Sequence, residues 1–181
     1  MALKLIHTAD WHLGQTFFGY DREAEHEAFL GFLTNLLVER QTDVLLIAGD
    51  VFDVTNPSAG AQRRFYRFLR EANRLNPGLQ IVIIAGNHDS PERIAFGAGL
   101  MAPSGVYLSP VYNGRVEPVT LSDTYGEVRF YLLPFIKPAP VRRFYPDAVI
   151  ESYTDALRCA VEHMDIDSSA CLLYTSPSPR D

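Results

Sequence analysis

Three apolar runs in this chain end in residues able to hold a metal ion. Leu3–Ala9 leads into Asp10-Trp11-His12, Val44–Ala48 into Gly49-Asp50-Val51-Phe52-Asp53, and Ile81–Ala85 into Gly86-Asn87-His88-Asp89. Hydrolysing a phosphodiester demands activated water, neutralisation of a doubly charged transition state and support for the leaving oxygen. Two divalent cations roughly 3.5–4 Å apart supply the first two. Bridging them takes a ligand with two lone-pair-bearing oxygens, and Asp50, fixed at a strand end behind Gly49, is the candidate. Asp10 and His12, read as part of an extended segment, point to the same side and can grip one ion. Asn87 offers a neutral carbonyl oxygen to the second. Carboxylate, imidazole and amide together suit Mn²⁺ or a similar first-row ion better than a thiolate-selected metal.

His88 follows Asn87 directly, so with Asn87 facing the metals it is free for another task. It can protonate or stabilise the leaving group, or contact a phosphate oxygen. Asp53, three residues past Asp50, can hold one ring nitrogen of His88 and fix its tautomer. Asp89 is left either to cap the following helix or to join the site, the first role being its plain structural reading. Taken singly, each motif also has a plain structural reading: a capped turn, a Gly-Asp turn, a surface loop. Their joint order favours chemistry, because all three stand at carboxyl ends of strands, where open α/β sheets place their ligands. The other histidines read as structural: His7 packed within the first strand, His26 solvated between Glu25 and Glu27, His163 on the surface.

These ends need a scaffold, and the sequence outlines one. The three runs are short, aliphatic and without clear alternation, as in strands buried on both faces. Between them, Arg22–Arg40 reads as a helix capped by Asp21, with Phe29, Leu33, Leu36 and Leu37 on one stripe. A second helix starts near Ser58 and stops at Asn76-Pro77-Gly78; Ala61, Phe65, Phe68, Ala72 and Leu75 face inward. Its other face carries Arg63, Arg67, Arg70 and Arg74, a solvated stripe that could also meet a partner or DNA. Strand, helix, strand, helix, strand implies right-handed crossovers and a parallel sheet. A third helix follows Ser90-Pro91-Glu92. From Val106 the pattern turns antiparallel: Val106–Leu108, Arg115–Leu121 and Glu127–Leu133 read as strands of a second sheet. Asn113-Gly114 and Thr124-Tyr125-Gly126 read as its turns. Pro134 to Pro140 reads as a surface loop, and Ala148 to Met164 as a helix with Ile150, Tyr153, Leu157, Val161 and Met164 on one side.

The 181 residues suffice for one domain with a sizeable core, and 47% hydrophobic with 21% charged residues is ordinary for a globular protein. A net charge of −6 argues against a simple electrostatic DNA binder, although carboxylates gathered to hold cations make any metal site formally acidic. No signal peptide or membrane span is read, and two cysteines, Cys159 and Cys171, fit a reduced, cytoplasmic setting. Residues 171–181 lack periodicity and resemble the in-frame translation of a transposase-end adapter from DNA library preparation. They are set apart from residues 1–170 as a non-native tail, with a natural Ser/Pro-rich tail as the plain alternative.

At the ligand-bearing residues the sequence resembles the calcineurin-like metallophosphoesterase superfamily. More closely, it is similar to the nuclease subunits of bacterial SbcCD-type exonucleases. His7-Thr8-Ala9-Asp10-Trp11-His12-Leu13-Gly14, Ala48–Asp53 and Ala85–Ser90 carry the likeness, extended by Arg22–His26 and Phe52–Ser58. The resemblance implies a four-layer α/β/β/α sandwich, a two-metal site usually run with Mn²⁺, and cleavage of DNA phosphodiesters. It implies assembly with an SbcC-type ATPase and a second nuclease subunit in a heterotetramer. That complex would be a double-strand exonuclease and single-strand endonuclease in repair and recombination. Carried over by position, Asp10, His12, Asp50 and Asn87 are metal ligands, His88 is the catalytic histidine and Asp53 is the carboxylate that orients it. The family pattern continues with a strand ending in a metal-binding histidine and then Gly-His-x-His. After His88 the only histidine here is His163, so the chain is expected to be an N-terminal part, truncated in the second sheet and inactive alone. The alternatives are another calcineurin-like phosphatase or phosphodiesterase, or a non-catalytic metal-binding remnant.

Overall fold

The three ligand-bearing runs become adjacent parallel strands in the structure, a computed structural model that describes residues 1–166 and the backbone of 171–173. In chain order the elements are β1 (Leu5–Thr8), β2 (Thr16–Phe17), β3 (Tyr20–Asp21), α1 (Glu23–Glu39), β4 (Val44–Ala48), α2 (Ala59–Leu75) and β5 (Gln80–Ile84). Then come α3 (Pro91–Ala95), α4 (Ala98–Met101), β6 (Val106–Leu108), β7 (Pro118–Asp123), β8 (Gly126–Tyr131), α5 (Pro138–Phe144), α6 (Tyr153–Glu162) and β9 (Cys171–Leu173). The first sheet runs β1-β4-β5-β6, all parallel, with Ile6 opposite Leu45 and Leu46 opposite Val82. The second is β7-β8-β9, and β2-β3 is a separate small hairpin.

Three apolar clusters fill the interfaces of a four-layer α/β/β/α sandwich. Leu33, Leu37, Phe65, Phe68 and Ala72 from α1 and α2 pack on Leu45, Ile47, Ile81 and Ile83. The opposite face of the same strands, Val44, Leu46, Val82 and Ile84, meets Val128, Phe130 and Leu132 of the second sheet. Tyr131 and Leu133 then face Val141, Ala156, Cys159 and Ala160 of α5 and α6. With both faces covered, β4 and β5 have no polar side and so no alternation. Each fully buried Leu or Ile there contributes roughly 1.5–3 kcal/mol. Ser58 caps α2 by accepting from the Ala61 N–H, and Ser152 and Asp155 form a reciprocal cap on α6.

Several local expectations are corrected. β1 is an outer strand among the described residues and alternates, so His7 is exposed rather than packed. On α1 the buried residues are His26, Leu30, Leu33, Thr34 and Leu37. His26 is therefore buried and not solvated, within reach of the Arg64 charge on α2, while Asp21 sits one residue before the cap position, accepting from the Glu23 N–H. On α2, Leu75 is exposed at the last turn and Arg64 is buried, bonded to Glu23 and Glu27; Arg67 also pairs with Glu27. Val106–Leu108 belongs to the first sheet, where its apolar residues extend the parallel ladder beside β5. Asn113-Gly114 makes no hairpin: Tyr112 and Val116 on either side are drawn into the outer core instead of pairing. The two-residue turn at Thr124-Tyr125 does join β7 to β8. Pro134 is buried, and Pro138 opens α5, where its missing N–H costs nothing.

On α6, Tyr153 is exposed and Ala156, Cys159 and Ala160 supply the buried face. The backbone of Cys171–Leu173 pairs with β8 as a parallel strand. A strand edge offers unpaired N–H and C=O groups to any short extended neighbour. The expected tail beyond residue 173 lies outside the described residues. No helix among the described residues is long and apolar enough to cross a membrane.

Candidate metal centre

The ends of β1, β4 and β5 are tied into one rim by main-chain bonds. Past β1 the chain turns instead of continuing the ladder: Asp10 N–H donates to Gly49 O at 3.1 Å, His12 N–H to Asp50 O at 2.9 Å and Leu13 N–H to Val51 O at 2.9 Å. Asp10, His12 and Asp50 all take left-handed backbone conformations, with φ of 58°, 46° and 49°. Such residues cost about 1–3 kcal/mol each and persist where the surroundings over-determine them. The expected extended geometry at Asp10-Trp11-His12 is thus replaced by a turn. It is anchored by Trp11, which is buried with edge-on contacts to Phe29, Phe65 and Phe68.

That turn still brings the ligands together. One donor atom from each of Asp10, His12 and Asp50 lies within 4.8 Å of the others. A second trio, His12, Asp53 and His88, meets the same limit, so His12 stands between the two groups. The two rings meet edge to face with centroids 4.9 Å apart. Two glycines make this approach possible. A Cβ on Gly86 would lie 2.2 Å from Asp50 Oδ1, and one on Gly49, at φ 88°, would lie 2.8 Å from Gly86 Cα.

His88 is held from both ends. Its N–H donates to Asp50 Oδ1 at 2.9 Å, and its ring Nδ1 lies 2.8 Å from the main-chain oxygen of Asp53. A carbonyl only accepts, so Nδ1 carries the proton and Nε2 is left for proton exchange. The expected partner is the Asp53 carboxylate; the main chain takes that place. The Asp53 carboxylate lies 3.4 Å from His12 Nδ1 and accepts from Gln15 Nε2 at 3.1 Å, while Gln15 Oε1 accepts from Arg22 at 2.7 Å. Asn87 is exposed on the same loop, between Gly86 and His88.

Asp89 is not the helix cap: Ser90 takes that role, accepting from the Arg93 N–H. Asp89 is 4% exposed and accepts from the N–H groups of Val51, Phe52 and Gly86. Burial pushes its carboxyl above the usual carboxylate range, against the pull of those donors and with the neighbouring Asp50 charge adding to the push. Its place next to His88 is the only sequence sign of this role. Nothing in the pattern marks Gln15 or Arg22.

The donor set fits divalent cations. Carboxylate oxygens and an imidazole converge at a strand-end rim, and the buried His12 Nδ1 makes no hydrogen bond. The chain belongs to the calcineurin-like phosphoesterase family, whose pattern matches residues 3–151. More particularly, it is 42% identical over 146 residues to the SbcD component of the SbcCD nuclease of Rhodobacter capsulatus, covering 76% of this chain and 36% of that protein. It is 32% identical over 162 residues to the corresponding SbcD component of Staphylococcus saprophyticus, covering 90% of this chain and 42% of that protein. The chain therefore spans less than half the length of these relatives.

Proposed function

We propose that the protein to which this chain belongs is a metal-dependent DNA nuclease that hydrolyses phosphodiester bonds. The observation that carries this reading is the convergence of Asp10, His12 and Asp50 on one rim, with His88 bonded through its main chain to Asp50. The likeness to two curated nuclease components directs it toward DNA. Asp10, His12, Asp50 and Asn87 would hold two divalent ions, most suitably Mn²⁺, with Asp50 between them. When bound, those ions activate water and neutralise charge on the phosphate. The Asp53 main-chain oxygen would hold one proton on His88 Nδ1, so that in the imidazolium form the second proton sits on Nε2 and would pass to the leaving oxygen as the P–O bond breaks, leaving the neutral Nδ1–H ring. The Asp53 carboxylate, which accepts from Gln15, itself bonded to Arg22, lies beside the His12 ring.

An acidic chain of net charge −6 gains little from long-range attraction to DNA. An SbcC-type ATPase and a second copy of the nuclease protein would supply the rest of the DNA grip, in a cytoplasmic complex acting in repair and recombination. The deciding experiment offers linear duplex DNA and Mn²⁺ to the full-length protein with that ATPase. Cleavage of the duplex supports the nuclease reading. Activity confined to small phosphate esters would instead make it a phosphatase of the same family.

A further inference from the structure

Asp89 belongs to neither ligand trio, yet it is the most heavily hydrogen-bonded carboxylate beside them. Its Oδ2 accepts from Val51 N–H at 3.1 Å and from Gly86 N–H at 2.9 Å, and its Oδ1 accepts from Phe52 N–H at 2.9 Å. Val51 and Phe52 follow Asp50; Gly86 precedes Asn87 and His88. One oxygen therefore spans the loop after β4 and the loop after β5. All three donors are main-chain N–H groups, and in this buried setting a hydrogen bond is stronger than it is in water.

The main chains of the two loops lie close: a Cβ on Gly49 would stand 2.8 Å from Gly86 Cα, and Gly86 in turn faces Asp50. Two other polar ties cross between them here, His88 N–H to Asp50 Oδ1 and His88 Nδ1 to Asp53 O, and both run through His88, a residue of the proposed centre.

We propose that Asp89 is a positioning residue: its buried carboxylate clamps the Asp50 loop to the Asn87-His88 loop and so sets the spacing of the metal ligands. The consequence for metal binding rests on the two-metal reading above; the clamp itself does not. Neutral Asn keeps the shape but presents an N–H₂ donor to a pocket of three donors, so it should break the clamp. Glu keeps the charge and acceptors at one methylene more.

Backbone amide hydrogen exchange on the 181-residue chain, without metal, compares wild type with Asp89→Asn and Asp89→Glu. In Asp89→Asn, faster exchange is expected at Val51, Phe52, Gly86 and also at His88, whose N–H does not touch Asp89. Leu46 and Val82, inside β4 and β5, should keep their protection, and Asp89→Glu should restore part of the loss at His88. Unchanged protection at His88 would overturn the proposal, since the loops would then not be coupled. Equal loss in the strands would also overturn it, reducing Asp89 to general stability. Mn²⁺ titration of the full-length protein should show affinity falling roughly 10–100-fold in Asp89→Asn, as for other residues that orient metal ligands. Undiminished affinity would remove the claim that the clamp sets ligand spacing. If full-length wild type takes up no Mn²⁺, the metal reading fails while the exchange comparison still decides the clamp.

Discussion

The main-chain N–H of His88 donates to Oδ1 of Asp50 at 2.9 Å, so the proposed bridging ligand and the proposed proton donor are joined across two strand ends. They should nonetheless fail differently in the full-length protein. Asp50→Asn removes the bridging charge and should lower metal content after dialysis. His88→Ala keeps its N–H and the metals but should slow turnover roughly 10²–10⁴-fold. Equal metal loss in both variants would make His88 a ligand, an outcome its place in the trio with His12 and Asp53 renders chemically accessible.

Gly86→Ala should disable the site without replacing any proposed ligand. Its new Cβ would meet Asp50 Oδ1 at 2.2 Å and Asp50 N at 2.3 Å, so Asp50 must move. Urea unfolding should show a loss of about 1–3 kcal/mol, typical of forced overpacking, together with weakened Mn²⁺ binding. Normal binding at wild-type stability would mean the two loops can separate freely.

Phe130 tests the packing of the second sheet on the first. It is 2% exposed among Val44, Leu46, Val82 and Ile84. Phe130→Ala should cost about 3–5 kcal/mol in urea unfolding. A loss under about 1 kcal/mol would be inconsistent with a packed interface between the sheets.

His26 predicts an acid-side loss of stability. Burial, with Arg22 and Arg64 nearby, lowers its pKa in the folded chain, so the unfolded chain takes up the proton first as pH falls. The contribution is intact above about pH 6.5, the unfolded value, and drains away as pH drops toward the lowered folded value. His26 Nδ1 has no hydrogen-bond partner, so His26→Leu removes the titration without breaking a bond there. Urea midpoints at about pH 7.5 and 5.5 should converge in the variant relative to wild type. An undiminished difference would locate the acid sensitivity elsewhere.

The ligand-bearing strands and both long helices are legible in the sequence because their signals are local. Continuous aliphatic runs betray strands covered on both faces, and Ser58 marks the start of α2 by its own side-chain bond, whereas α6 starts at Tyr153 behind Ser152 and not at the expected Ala148. The less visible features depend on partners distant in sequence. Val106–Leu108 reads alike in either sheet, and only pairing with Ile81–Ile83 places it. His26 is solvated or buried according to where α2 lies. At the rim, residue types announce the chemistry but not the conformation. The left-handed turn at Asp10 and His12 is set by the Gly49–Val51 carbonyls, about forty residues away in the chain. The plain structural reading of Asp89 is a cap because Asp before a helix usually is one. Its true donors lie on two loops that only the folded sheet brings together.

The central claim is a two-metal phosphodiesterase centre built on Asp10, His12, Asp50 and Asn87. Its most direct test measures Mn²⁺ stoichiometry and duplex DNA cleavage together, on full-length wild type and Asp50→Asn with the ATPase partner. The account predicts two ions per wild-type chain, cleavage abolished by a chelator, and loss of both binding and cleavage in Asp50→Asn. Cleavage that persists in Asp50→Asn, or in chelator, would contradict it.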